Sequence, residues 1–540
     1  MDHSISCYMG YQAALRLFLK GSLGLLTIAS LASCSFKNIV GGDKQNLRQG
    51  SEAIDIIIPA PAGMGLLDGS GNMAMANDPI VQMTSCSDAS ESIMPARTIR
   101  LTMKQLYETL KFHSKVALQE SEFVELSKST TSFKENSYSL LGDDSFIQLA
   151  HVQAKKAAAT MNLALAINCD VNSLATNQDC MQGFVNDFAS RVLRFPLTNS
   201  PEGATLLELL KTLVSSQSAE AGLRLTIQTI FQHPLFLYRQ ELGRGPGGVL
   251  DGYELATMIS YSLTDLPPDD LLWQDTKDNK LSVSTMTTHL QRILADNQKI
   301  GAFRDKFFAG YLGLNDSSSL EKAFINEAEA KSSQDSFRSL IQTTPMSKIF
   351  QIPSDSEDGR IGLHTHRYFL MNHSRAADHV SEIHIGIAIR KKLFCQNISA
   401  PPVANLPTQE GQTAIQARKA ANACYSCHQY IDPVGQNYLS FSGNGSAIAD
   451  AETTPSEITA TIDLDDTYQT IEDLSLAIND SEHIKRCMSL QVYRLVMSRP
   501  EQLGEQCHIN QIYEKLNQGE TKLEDLILTT FTYSGTAKRR

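Results

Sequence analysis

Basic residues are in deficit: 47 Lys and Arg stand against 59 Asp and Glu, a formal net charge of -12. Such a surface repels polyanions, and no basic stripe with interleaved aromatics offers them a groove, so DNA and RNA are excluded as partners. Aromatic residues are scarce at 7%, and the single tryptophan, Trp273, follows Pro268-Asp269-Asp270-Leu271-Leu272 as part of a helix's first turn and its core. No Ser-His-Asp order, phosphate loop or paired-carboxylate pattern justifies a hydrolase. No repeat of fixed period is present, which excludes a solenoid. Period-two alternation is rare, so strands are a minor part, with a short one expected at residues 459–464. What is there suits a globular chain: 42% of residues are hydrophobic and 20% charged, and 540 residues predict three or four modules.

The first 33 residues read as an export signal. After Arg16 and Lys20 comes an apolar, small-residue run from Gly21 to Ala29, too short for a comfortable membrane span. It ends in Leu31-Ala32-Ser33-Cys34, which resembles the lipobox of bacterial lipoprotein precursors. That resemblance implies that Cys34 becomes a triacylated N-terminus, an essentially permanent membrane anchor at about 0.8 kcal/mol per buried methylene. Ser35 is not the aspartate that retains such proteins at the inner membrane, which favours the outer one. The expected location is therefore the cell envelope, on the periplasmic side or at the surface.

From there to residue 94, Gly, Ser, Asn, Ala and Met dominate, the composition of a flexible tether. The body beyond is expected to be mainly α, a multi-module helical body with short extended segments. Thr102 stands three residues before Gln105, a capping-box spacing. Apolar residues recur at one-face spacing in Phe184, Phe188 and Val192, in Leu223, Ile227 and Ile230, in Leu255, Ile259 and Leu263, and in Leu523, Leu526, Ile527 and Phe531. Further helices are expected over residues 289–314 and 378–395. Seams fall at residues 243–248, at the acidic stretch 354–359 and at Pro401-Pro402. The modules expected are 95–200 and 201–345, both helical, then 360–465 around the motif described next, and a helical 466–540.

Cys424-Tyr425-Ser426-Cys427-His428 is the sharpest signal in the chain. Two thiols two residues apart can add across the vinyl groups on one edge of a porphyrin, and the following histidine is then placed under the iron. One covalent c-type haem is expected here, in a C-terminal cytochrome c-like module. Three rivals use the same residues. A thioredoxin-like redox pair would want a βαβ setting. A zinc site would want a second paired ligand set, which the sequence lacks. A plain disulfide between Cys424 and Cys427 would have no use for His428. With one motif only, a two-haem peroxidase is excluded unless a partner supplies the second haem.

The sixth iron ligand stays open among Met488, Met497, His366, His483 and His508; methionine would raise the potential and histidine lower it. His364, His366, His373, His379 and His384 form a histidine-rich stretch, five of the chain's 13. His364 and His366 could share a metal if their segment is extended, or could simply be solvated. Outside the signal, the lipid site and the motif, six cysteines remain: Cys86, Cys169, Cys180, Cys395, Cys487 and Cys507. In an oxidising compartment they suit three disulfides. Proximity favours Cys169 with Cys180 and Cys487 with Cys507, leaving Cys86 with Cys395, although six cysteines allow about 15 pairings and only geometry chooses.

The run Ala423 to Gly435, which continues the motif with Gln429-Tyr430-Ile431-Asp432-Pro433-Val434-Gly435, resembles the cytochrome-like modules of large exported proteins abundant in planctomycetes and myxobacteria. In that family the motif is followed by an Ile-Asp-Pro-x-Gly turn. Similar pieces occur in the family's order: Arg97 to Leu110, Phe184 to Leu197, Pro234 to Glu241, Tyr253 to Ala256 continuing to Pro268-Asp269, Gly362 to Leu370, Leu393-Phe394-Cys395, Pro401-Pro402, Cys487, and Leu523 to Tyr533. Met258 stands where the family has arginine, Tyr311 where it has tryptophan, Ser498-Arg499 where it has Gly-Arg, and Asn437 to Ser442 replace an acidic-aromatic segment. The resemblance implies cofactor and location but no substrate, since the family's reaction is not established. The function expected is a membrane-anchored mono-haem redox protein with an unknown redox partner or envelope substrate and an added binding role. The alternatives are a non-redox envelope scaffold stapled by haem or disulfide, and an oxidoreductase that activates oxygen or peroxide at an open iron position.

Overall fold

The computed structural model describes residue 80 and residues 93–125, 132–140, 142–313, 344–350, 362–374, 380–396, 398, 422–443, 445–448, 451, 455–502 and 504–539. The expected signal peptide, Cys34, nearly all of the tether, Cys86, His379, the acidic stretch 354–359 and Pro401-Pro402 lie outside them. Among the described residues the chain is mainly α, and its strands form two antiparallel pairs. No described helix is long and apolar enough to cross a membrane. The described residues fall into two compact units, one holding 158–192 and 196–230, the other the rest.

The larger unit begins with β1 (Arg97–Arg100) and α1 (Met103–Ser114). Thr102 Oγ1 accepts from the Gln105 N–H at 3.1 Å, and Gln105 Oε1 accepts from the Thr102 N–H at 3.2 Å, so the expected capping box forms. In the smaller unit α2 (Pro201–Ser216) packs on α3 (Ala219–Ile230), and Cys169 is bonded to Cys180. The smaller unit draws on residues either side of 200.

Returning to the larger unit, β2 (Tyr238–Glu241) pairs with β1 in the register Arg97 to Glu241, a long-range pairing invisible to local periodicity. Glu241 is fully buried; burial alone would raise its carboxyl, but Arg97, Arg539 and Arg239 hold it well below the usual carboxylate range. The glycines at 243–248 lie in the turn that follows β2. The Arg539 N–H donates to the Gly248 carbonyl and the Leu250 N–H to the Ala537 carbonyl, both at 2.8 Å, so the last described residues pack against this turn.

Next come α4 (Gly252–Thr264), α5 (Asp270–Lys277), α6 (Met286–Leu294) and α7 (Asn297–Tyr311). Trp273 lies in the first turns of α5, buried edge-on to Tyr253. The single helix expected over 289–314 is two, because Asp296 caps a new start by accepting from the Gln298 and Lys299 N–H groups. Then follow α8 (Glu382–Ala388), α9 (Asn422–Gln436), β3 (Ser456–Ile458) and β4 (Asp466–Tyr468). The strand expected at 459–464 is instead the turn joining β3 to β4, where Asp465 accepts from the Ala460 and Thr461 N–H groups. The chain closes with α10 (Ile471–Asp480), α11 (Glu482–Val496), α12 (Gln506–Leu516) and α13 (Leu523–Thr532), of which α11 packs on α7, α12 and α13 in one hydrophobic core.

Cysteine pairing departs from proximity. Cys395 is bonded to Cys487 with Cα atoms 5.4 Å apart, because Ile389–Leu393 packs against α11 and delivers Cys395 to it. Cys507 is disulfide-bonded too, so neither the Cys487–Cys507 nor the Cys86–Cys395 pairing forms.

Candidate haem-attachment helix

The motif sits at the start of α9. Positions 424, 427 and 428 are three and four apart, so they fall within one turn on one face of the helix. This end is the open one: Tyr425 is exposed and Cys427 to Tyr430 are half-buried, whereas the chain is buried from Ile431 to Tyr438. The Ile-Asp-Pro-x-Gly segment, expected as a turn, continues the helix with Pro433 inside it. Proline there costs a hydrogen bond and is a kinking element, so the segment must be held by what surrounds it.

Two glycines allow that holding. A Cβ at Gly386 on α8 would lie 2.2 Å from the Ile431 carbonyl oxygen, and one at Gly435 on α9 would lie 2.1 Å from the Glu382 carbonyl oxygen. The two helices therefore touch backbone to backbone, and any side chain at either position would force them apart. Arg390, fully buried, adds a clamp. It donates from Nε to the Tyr430 carbonyl at 2.6 Å, from Nη2 to the Thr459 carbonyl at 2.9 Å and from Nη1 to Gln396 Oε1 at 2.8 Å. Gln396 in turn donates to the Ala460 carbonyl. The helix, the β3–β4 turn and the segment leading to Cys395 are thereby fixed together.

The decisive contact is on α9 itself. His428 Nδ1 lies 2.7 Å from Oδ1 of Asp432, one turn on, and the Asp432 side chain is 1% exposed. A carboxylate oxygen accepts, so the pair selects the tautomer with hydrogen on Nδ1 and leaves the Nε2 lone pair for a metal. This is how proteins orient a ligating imidazole, and the donor set of two thiol positions and an oriented histidine on one helical face fits a covalent haem. The βαβ setting that a thioredoxin-like pair would want is absent among the described residues: α9 packs on helix α8 and on strand β3 of an antiparallel hairpin.

The candidates for the sixth ligand are scattered. Met488 lies on α11 and Met497 at its end, both 1% exposed in the core. Both ring nitrogens of His483 are taken: Nε2–H donates to the Phe394 carbonyl at 2.9 Å, and Nδ1 accepts from the Ile462 N–H at 3.3 Å. His508 donates from Nε2 to the Thr530 carbonyl and stacks on Tyr533, and burial pushes it down to about 4. His366 is buried at the end of the turn Leu363–Thr365. That turn is helical rather than extended, which removes the alternation by which His364 and His366 were to share a metal; among the described residues no group of three His, Cys, Asp or Glu could hold one. His364 Nδ1 lies 2.7 Å from Tyr438 Oη, its Nε2 has no hydrogen-bond partner, and burial pushes the ring down to about 3. His373 donates to the Leu312 carbonyl and is pushed down to about 4 by burial, while His384 bonds Ser381.

Asp432 and Arg390 escaped the sequence reading. The His-x-x-x-Asp spacing was the available signal for the first; the three carbonyl and amide targets of Arg390 come together only in the fold. Ser498, Met258 and Tyr311 each have partners in the fold. Ser498 has φ 53°, the left-handed region where glycine is at ease, and its Oγ accepts from buried Arg239 at 2.8 Å. Met258 places its sulfur 3.9 Å from Arg539 Nη2, and Tyr311 stacks on Phe307. A cavity lined by Arg194, Tyr238, Arg239, Arg244 and Glu254 measures about 10 Å³, room for roughly one water, and is no cofactor pocket.

Comparison with known families places two modules on the chain. Residues 250–376 match the model PSD4, a protein of unknown function (DUF1592), and residues 360–450 match PSCyt3, a protein of unknown function (DUF1588), so that α8 and α9 fall within the second. The two matches together span residues 250–450. No curated protein and no solved structure matches it.

Proposed function

We propose that this chain is an exported, lipid-anchored, mono-haem c-type cytochrome-like protein that transfers electrons at the cell envelope. The observation that carries the reading is the pairing of His428 Nδ1 with buried Asp432 on the helix that bears Cys424 and Cys427. The short name of the PSCyt3 model, which carries the abbreviation for cytochrome, agrees with it. Cys424 and Cys427 would hold the porphyrin by thioethers and His428 Nε2 would hold its iron; a bound haem supplies one-electron chemistry. Asp432 orients the imidazole, Arg390 and the two glycine contacts keep the helix seated, and the half-buried end leaves the motif within reach of a redox partner. Cys34 would carry the lipid.

Expression of the full chain in a host with haem-maturation machinery tests this. After a denaturing gel, wild type should stain for haem and Cys427→Ala should lose most of the stain. A wild-type band that never stains, from a host that matures a control cytochrome, overturns the reading.

A further inference from the structure

We propose that Asp432 is a positioning residue that strengthens the bond from His428 to iron and holds the site toward the ferric state. The inference rests on the haem reading above and adds to it a direction for the potential. The geometry is specific: the bond is 2.7 Å, the two residues are one helical turn apart, and the carboxylate is 1% exposed while the imidazole side chain is 14% exposed. Asp432 is also flanked by fixed contacts. It lies between Tyr430, whose carbonyl takes the Arg390 Nε–H, and Gly435, which leaves no room for a Cβ against the α8 backbone, so the helix cannot turn to carry the carboxylate out to solvent.

A carboxylate drawing on the Nδ1 proton gives the imidazole partial imidazolate character, which makes Nε2 the stronger donor. A stronger anionic donor stabilises Fe(III) over Fe(II), so uptake of one electron by the ferric site becomes harder. Neutral acceptors do not act this way to the same degree, and the histidines of this chain that bond to carbonyl or phenol oxygens, buried His508 and His364 and half-buried His373, show what a merely structural partner looks like. The site is thereby suited to a low-potential partner, or to oxidants as electron acceptors.

The test uses the full haem-loaded chain as wild type, Asp432→Asn and Asp432→Glu. Asparagine keeps an oxygen acceptor of the same size and removes the charge. Spectroelectrochemical titration should show reduction favoured by at least about tenfold in Asp432→Asn, a rise of about 59 mV for one electron, with Asp432→Glu between it and wild type. Haem staining and the far-ultraviolet circular dichroism should be unchanged. A second measurement needs no variant: the iron–histidine Raman stretch of ferrous wild type, read after photolysis of bound carbon monoxide, should lie nearer imidazolate than neutral-imidazole model haems. Equal potentials for wild type and a folded, haem-bearing Asp432→Asn, or a neutral-imidazole stretch in wild type, overturn the inference while leaving haem attachment intact. A wild type that takes up no haem overturns the functional reading and this inference together.

Discussion

His428 and His364 are both histidines held by one hydrogen bond of 2.7 Å, yet they are held for different ends. His364 is fully buried against a tyrosine hydroxyl, and burial pushes it down to about 3, so it is a neutral core ring at every physiological pH. His428 sits at the open end of α9 with a buried carboxylate behind it. A fold that only needed to fill space would have no reason to bury that carboxylate, since an ionised group loses hydration it must recover from its partners. The contrast separates a histidine that fills the core from one that a buried carboxylate orients at the open end of its helix.

The largest effect that would sharpen the contrast is on the staple beside it. Opening the Cys395–Cys487 bond by the double change to serine frees a loop of sequence separation 92 and should cost about 4 kcal/mol in denaturant unfolding of the oxidised protein. Arg390→Met should cost about as much, roughly 3–4 kcal/mol, because it leaves the Tyr430 and Thr459 carbonyls and the Gln396 amide oxygen without this donor. In that variant haem staining should fall with stability, whereas the disulfide variant at low temperature should still stain.

A pH series addresses the other side of the comparison. Burial holds His364, His373 and His508 below the ordinary histidine value of 6.5, at about 3, 4 and 4. The unfolded chain therefore binds protons that the folded chain refuses, and stability falls as pH drops from about 6.5 toward 4, by up to about 1.4 kcal/mol per pH unit for each ring. His364→Phe should remove about a third of that slope between pH 6.5 and 4.5 and leave the haem potential unmoved. A shifted potential would mean that His364 touches the cofactor, and the comparison would fail. The smallest effect is at Ser498→Gly. Relief of the left-handed φ stabilises by up to about 1 kcal/mol, loss of the bond to buried Arg239 costs about 1.5–3 kcal/mol, and chemical denaturation should show a net loss of about 1 kcal/mol.

Local signals in the sequence were read well where the physics is local. The Thr102–Gln105 capping box and the helical placement of Trp273 depend on residues within a turn of each other. The β1–β2 pairing, the Cys395–Cys487 bond and the packing of residues 537–539 on the Gly243–Gly248 turn depend on segments from about 90 to about 300 residues apart, and no periodicity encodes them. Asp432 lay between these cases. Its i+4 spacing from His428 was visible, but the family resemblance implied a turn there, and only the backbone contacts of Gly386 and Gly435 with the facing helix show why the helix runs on through Pro433.

Cys424, Cys427 and His428 are proposed to form one attachment site for a covalent metalloporphyrin. Intact-mass spectrometry of the full chain from a haem-maturing host reads that attachment without any assay of activity. Wild type should be heavier by one haem, with the addition located on a peptide containing both Cys424 and Cys427; an unmodified mass, with that peptide recovered bare, would rule the attachment out.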